Sequence, residues 1–159
     1  GLHDRGLNIK SLTEPDIEAM LADVWATLDL PDEAARLDAA VAPRITARAN
    51  LHGDAENIDA ELQLLVTVDK EAAGLLAAAF FGAGIASGEG EVADAVGELA
   101  NMCAGAVKTL LEGEWVIGIP SPGDENASRA AGWVEATLPV QAGWVRLALG
   151  PGDDESDRN

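Results

Sequence analysis

The stretch that decides the fold runs Asp94-Ala-Val-Gly-Glu98-Leu-Ala-Asn101-Met-Cys-Ala-Gly-Ala-Val-Lys-Thr-Leu-Leu111, the longest helical pattern in the sequence. At about 100° per residue, positions 94, 98, 101, 105 and 108 share one narrow stripe of a helix surface. The opposite stripe is apolar and consists of Val92, Val96, Leu99, Cys103, Val107 and Leu110. The pattern predicts a helix that packs one face on a sheet and presents the other to a partner.

Three residues on or beside the presented stripe are unusual for the middle of a helix. Asn101 is a mediocre helix former, because its side chain competes for backbone hydrogen bonds and is more often found at caps and turns. Gly97 and Gly105 weaken a helix relative to alanine, and such glycines are expected where a ligand or another backbone approaches closely. Together they predict a binding surface.

Composition limits the class of protein. A chain of 159 residues with 48% hydrophobic content is long enough for one domain with its own core. Cys103 is the single cysteine, so no disulfide framework is available, and a cytoplasmic location is expected. The sequence shows no apolar run of about 18 residues and no signal-peptide pattern, so we expect neither a membrane span nor secretion.

The formal net charge of −18 limits the possible partners. It opposes association with nucleic acid and with anionic membranes, so neither is expected as a partner. The simplest role of such an acidic surface is solubility.

Hydrophobic periodicity predicts an α+β fold. Thr13 is a plausible cap for a first helix, and Asp69 for a second. Alternating patterns predict an antiparallel hairpin, a short strand and a closing hairpin, over residues 45–51 with 58–68, 115–119, and 133–140 with 144–149. The predicted order is α-β-β-α-α-β-β-β, a mostly antiparallel sheet with helices packed on one face.

The remaining segments are predicted to connect or to flank this unit. Residues 31–40 fit either a short helical turn or a connection, and the glycine-rich residues 82–90 are interpreted as a flexible joint. Residues 1–12 are predicted to be a flexible arm or a cloning remnant. Residues 13–149 form the single domain, and residues 150–159 a disordered acidic tail.

The central stretch resembles a known family. Asp94, three residues, Glu98, two residues and Asn101 match in register the motif of the CheX/CheC/FliY family of response-regulator phosphatases. That motif is completed by a later proline. Here Pro120 and Pro122 come slightly before that position, and the element order of residues 13 to 149 also agrees with the family.

The first helix distinguishes between members of this family. A CheC-like chain carries a second copy of the motif there, but this chain has Asp16, Met20 and Asp23 at the corresponding positions. With one copy, the sequence resembles CheX more than CheC.

The resemblance implies an enzyme that hydrolyses the aspartyl phosphate of a CheY-like receiver domain. Asn101 cannot act as a base at neutral pH, but its amide can orient the attacking water. Glu98 would repel a phosphoryl group by itself, so its implied role is to pair with the receiver's lysine. Asp94, Gly97 and Gly105 would border the contact. The resemblance also implies a homodimer and no cofactor of the chain's own, with Mg²⁺ bound by the receiver.

Other readings of the same residues stay open. Two other classes stay open as alternatives: a non-catalytic module that binds a receiver, and a dimerisation or scaffold domain. Asp94 and Glu98 taken singly are more often solvated helix residues, and two carboxylates without histidine do not predict a metal site. His3 and His52 fall in the arm and a turn, so no Ser/His/Asp or Cys/His arrangement is expected.

Overall fold

A computed structural model describes residues 12–53, 61–84, 86–111, 113–141 and 143–152. Three helices pack on one face of a six-stranded antiparallel sheet. The helices are α1 (Glu14–Ala26), α2 (Lys70–Phe81) and α3 (Glu89–Lys108). The strands are β1 (Arg36–Leu37), β2 (Arg44–Gly53), β3 (Glu61–Asp69), β4 (Ala86–Ser87), β5 (Trp115–Ile117), β6 (Ser121–Pro122), β7 (Val134–Val140) and β8 (Gly143–Pro151).

The sheet has the strand order β5-β2-β3-β8-β7, with β6 also paired to β2. Both predicted hairpins are present: Leu51 lies opposite Leu62 in the first, and Ala136 opposite Leu147 in the second. Alternate residues of these strands face the helices and fill the core, as the period-2 pattern predicts. The α+β class and the order of the long elements are therefore confirmed.

Two predicted helix caps are present, at α1 and α2. The Thr13 side chain accepts a hydrogen bond from the Asp16 amide, and the Asp16 carboxylate accepts one at 2.9 Å from the Thr13 amide, which forms a capping box at α1. Asp69 Oδ1 accepts hydrogen bonds from the amides of Ala72 at 3.0 Å and Trp144 at 3.2 Å. Asp69 therefore caps α2 and ties its first turn to β8.

The connections differ from the sequence interpretation. β1, inside the ambiguous residues 31–40, pairs in parallel with β4, inside the predicted flexible joint. Two-residue strands carry no periodic signal, so these could not be found from sequence. The joint is also shorter than predicted, because α3 already begins at Glu89, where Glu91 Oε1 accepts a hydrogen bond from the Gly88 amide.

The ends of two elements also differ. α3 ends at Lys108, three residues before the predicted Leu111, and Leu110 is 44% exposed rather than on the apolar face. β8 continues through Pro151, where it pairs with Leu62, so Gly150 and Pro151 belong to the sheet and not to the predicted tail. Leu12, predicted within the arm, packs against the core. Residues 1–11, 54–60 and 153–159 lie outside the described residues, so the predicted arm, the turn after Gly53 and the rest of the tail lie there.

Candidate functional site

A groove of about 800 Å³ runs between α3 and the sheet edge formed by β5 and β6. The helix contributes a wall of small and polar residues: Ala93, Asp94, Gly97, Glu98 and Asn101. The opposite wall consists of residues 117–122. The remaining lining residues are Ile45, Thr46 and Ala47 on β2, with Phe80 and Phe81 at the end of α2.

The helical wall follows from the two faces of α3. Asp94, Glu98 and Asn101 are exposed, whereas Leu99 and Ala100 between the last two have no exposed surface. Val92, Val96, Cys103 and Val107 are likewise buried, so the predicted division into a packed and a presented face is confirmed. Within the described part of the chain, the side chains of Glu98 and Asn101 have no hydrogen-bond or ion-pair partner. Both groups are therefore available to another molecule.

The opposite wall is an arch between two short strands. β5 pairs with residues 51–53 of β2 and β6 with residues 47–48, so the chain leaves the sheet edge between them. The Gly118 amide donates a hydrogen bond to the Asn50 carbonyl at 2.8 Å, which holds one foot of the arch. Ile119 at the top is 92% exposed. A β-branched apolar residue is thus presented directly to solvent at the rim of the groove.

The second foot of the arch is anchored behind the sheet. The Gly123 amide donates to the Thr46 carbonyl at 3.0 Å, and a 3-10 helix, Glu125–Arg129, follows. The Glu125 carboxylate lies 3.2 Å from Arg44 Nε and 3.6 Å from Arg146 Nη1. These contacts fix the segment that leaves the groove.

The groove carries one sign of charge. Asp94 and Glu98 are acidic, and none of the residues that line the groove is basic. An uncompensated carboxylate favours a cation, and the nearby amide of Asn101 can both donate and accept hydrogen bonds. This arrangement suits a partner that brings a positive charge together with a group needing orientation by an amide.

The structure brings together four of the five residues singled out by sequence. Asp94, Gly97, Glu98 and Asn101 all line the groove, whereas Gly105 does not, and no atom comes within 4 Å of a Cβ built on Gly105. Sequence reasoning missed Ile119 and Phe81. An isoleucine between Gly118 and Pro120 is a weak signal of exposure, but only the strand pairing shows which surface it borders.

The single described cysteine takes no part in the groove. Cys103 is a free thiol in the core, and burial raises its pKa to about 12. Across the ranges that the structure describes, no group of three or more His, Cys, Asp or Glu side chains is arranged to hold a metal ion. No helix in those ranges has both the length and the hydrophobicity needed to cross a bilayer.

The sequence that forms this groove matches a known protein family. The family model described as chemotaxis phosphatase CheX matches residues 41–130, more than half of the chain, including the whole helical wall and the arch. No curated protein gives a significant match to the sequence.

Several solved structures share the fold. The chain is similar to the chemotaxis protein CheX from Vibrio vulnificus, with a TM-score of 0.61, 19% identity, and 84% of this chain and 92% of that chain covered. It is also similar to CheX from Desulfovibrio desulfuricans, with a TM-score of 0.58, 16% identity, and 86% of this chain and 99% of that chain covered. A CheC-like superfamily protein from Shewanella sp. PV-4 matches with a TM-score of 0.58, 17% identity, and 86% of this chain and 95% of that chain covered. The chain therefore belongs to the CheX family of chemotaxis phosphatases.

Proposed function

We propose that this chain hydrolyses the aspartyl phosphate of a response-regulator receiver domain, with Glu98 and Asn101 as its working side chains. The observation that carries the proposal is that the carboxylate of Glu98 and the amide of Asn101, three residues apart, line one groove and have no partner within the described residues. The chain also belongs to a family whose model is described as chemotaxis phosphatase. Residues three apart on a helix lie on the same face, so both can enter one pocket of a partner.

Glu98 has the docking role in this proposal. Its carboxylate pairs with the lysine of the receiver's active site, because a second anion beside a phosphoryl group is tolerated only when it neutralises a cation. Asp94, one turn earlier, and Gly97 border the contact. The place of Gly105 in the contact has less support, because it lies outside the groove.

Asn101 has the chemical role. Its amide oxygen accepts a hydrogen bond from a water molecule and holds the water oxygen in line with the phosphorus and the aspartyl oxygen. The new bond joins the water oxygen to phosphorus, while the bond from phosphorus to the aspartyl oxygen breaks. Inorganic phosphate leaves with both protons of the attacking water, and the aspartate is again a carboxylate. Mg²⁺ is expected on the receiver, so the proposal needs no metal ligand from this chain.

The test is phosphate release from receiver domains of the same genome, phosphorylated with acetyl phosphate. Asn101→Ala should lower kcat about 100-fold or more, because a misplaced nucleophile loses the benefit of alignment, while binding is mostly retained. Glu98→Gln should weaken binding and turnover together. Asn126→Ala and Glu89→Gln are matched controls, because both residues are exposed and neither lines the groove.

The same assay distinguishes a phosphatase from a non-catalytic receiver-binding module. Such a module would bind the phosphorylated receiver without releasing phosphate above the receiver's own rate, and Asn101→Ala would change nothing. Turnover that depends on Asn101 contradicts that alternative.

We also propose that the chain forms a homodimer. β7 pairs only with β8 in the described sheet, so its outer edge has backbone groups available for another strand. Sedimentation equilibrium of the full chain tests this directly, and a monomer at high concentration would contradict it.

A further inference from the structure

Two exposed apolar side chains border the groove that holds Glu98 and Asn101. Ile119 is 92% exposed and Phe81 is 43% exposed, and both line the groove. Isoleucine and phenylalanine are among the residues most often buried, and exposed apolar surface beside a polar site is typical of a protein interface. The other exposed large hydrophobic residues of the described chain, Leu110 and Val116, do not line the groove.

We infer that Ile119 and Phe81, which line the same groove as Glu98, form an apolar docking contact for the receiver domain. The inference rests on the proposed function and deepens it. The partner surface that fits is a single lysine bordered by apolar side chains, rather than an extended basic patch. With the receiver docked in this groove, its aspartyl phosphate would face Asn101, which lines the same groove.

The charge of the groove favours a receiver domain that brings a lysine over a second copy of this acidic chain. The groove offers Asp94 and Glu98 and no basic side chain, on a chain of net charge −18, so a second copy would meet like charges there. One lysine satisfies Glu98. The apolar rim then supplies binding energy that salt does not screen, whereas the ion pair weakens as ionic strength rises.

The arch presents Ile119 in a fixed position. The Gly118 amide bonds to Asn50 on one side, and the pairing of Ser121 with Arg48 holds the other side. Because both feet are attached to β2, little chain entropy remains to be lost when Ile119 meets a partner. A few well-packed anchor residues commonly carry most of the affinity of an interface.

The experiment compares Ile119→Ala with Val116→Ala in the full chain. Val116 is 61% exposed on β5 but outside the groove, so it controls for loss of a surface branched residue. Ile119→Ala should raise KM for the phosphorylated receiver about tenfold, equivalent to about 1.4 kcal/mol, with most of kcat retained. Val116→Ala should change neither. Phe81→Ala is a second variant, with its fold checked by thermal melting.

Salt dependence separates the two contacts. Binding by Ile119→Ala should keep the salt dependence of wild type, because its ion pair is intact, whereas binding by Glu98→Gln should depend less steeply on salt. If Ile119→Ala and Phe81→Ala bind as Val116→Ala does while Asn101 still controls turnover, the docking contact is wrong and the phosphatase function stands. If wild type binds no receiver, both fail. If Ile119→Asp changes only the oligomeric state, the occupant is a second copy and the inference is overturned.

Discussion

Gly97 faces Pro120 across the groove so closely that a Cβ built on Gly97 would lie 3.6 Å from the proline Cβ. This is ordinary van der Waals contact, so an alanine fits, but a longer side chain would fill the space between α3 and the arch. The width of the groove beside Glu98 is therefore set by the absence of a side chain on one helical residue.

Substitutions at Gly97 should separate helix stability from groove access. Gly97→Ala should raise the free energy of unfolding by about 0.5–1 kcal/mol, because glycine costs backbone entropy in a helix, and should retain turnover. Gly97→Leu should keep the fold and lower kcat/KM for the receiver, since it occupies the groove. Urea denaturation and phosphate release measure the two effects.

Gly105→Ala is the matched control for Gly97. It has open space around it, so it should give the same stabilisation of about 0.5–1 kcal/mol with kcat/KM unchanged. A loss of turnover in Gly105→Ala would extend the contact one turn beyond the groove, as a glycine inside a helix predicts.

The turn between β7 and β8 depends on a glycine. Gly143 has a φ of +95°, and a Cβ there would overlap the Asp69 carboxylate that caps α2. Gly143→Ala should therefore lower the free energy of unfolding by about 2 kcal/mol or more, from a backbone strain of about 1–2 kcal/mol and partial loss of a cap. Denaturant unfolding measures it. Asp69→Ala should lose about 1–2 kcal/mol, through the α2 cap and the hydrogen bond from the Trp144 amide, and a clearly larger loss in Asp69→Ala than in Gly143→Ala would contradict this account.

The α1 capping box should make stability depend on acid pH. The backbone hydrogen bond from Thr13, and then its side-chain hydrogen bond, hold the pKa of Asp16 below its ordinary value of 3.8. A lowered folded-state pKa gives stability that is present above 3.8 and is lost as the pH falls through the folded value. Asp16→Asn should therefore be less stable than wild type at neutral pH, and the difference should shrink as both are acidified below that value. A difference that stayed constant in acid would contradict the role of the carboxylate.

The buried thiol should be inert in the folded protein. Because burial raises the pKa of Cys103 to about 12, little thiolate forms at mildly alkaline pH, and the side chain is shielded from reagents. A disulfide reagent should react slowly with the native chain and quickly in guanidinium. Fast reaction under native conditions would show that α3 separates from the sheet.

Local patterns predicted one wall of the site, and long-range pairing decided the other. The exposure of Glu98 and Asn101 and the burial of Leu99 follow from helical periodicity, which is a property of neighbouring residues. The position of Ile119 depends on two short strands pairing with β2 some seventy residues earlier. Pairing over that distance has no local signal, so Ile119 and Phe81 could not be assigned to the groove from sequence.

The proline of the family motif also shows that sequence spacing alone does not locate a residue in the groove. Its proline has no match at the expected spacing, yet Pro120 and Pro122 both line the groove opposite the helix. Loop length between α3 and the arch can change without moving the arch, because its feet are set by the pairing with β2.

The measurement that tests the central claim most directly is single-turnover phosphate release from a saturated complex with phosphorylated receiver. In that complex binding is complete, so the rate reports the chemical step and not the affinity. The account predicts that Asn101→Ala slows this rate about 100-fold or more while Asn126→Ala leaves it unchanged. Equal rates for wild type and Asn101→Ala would contradict the account.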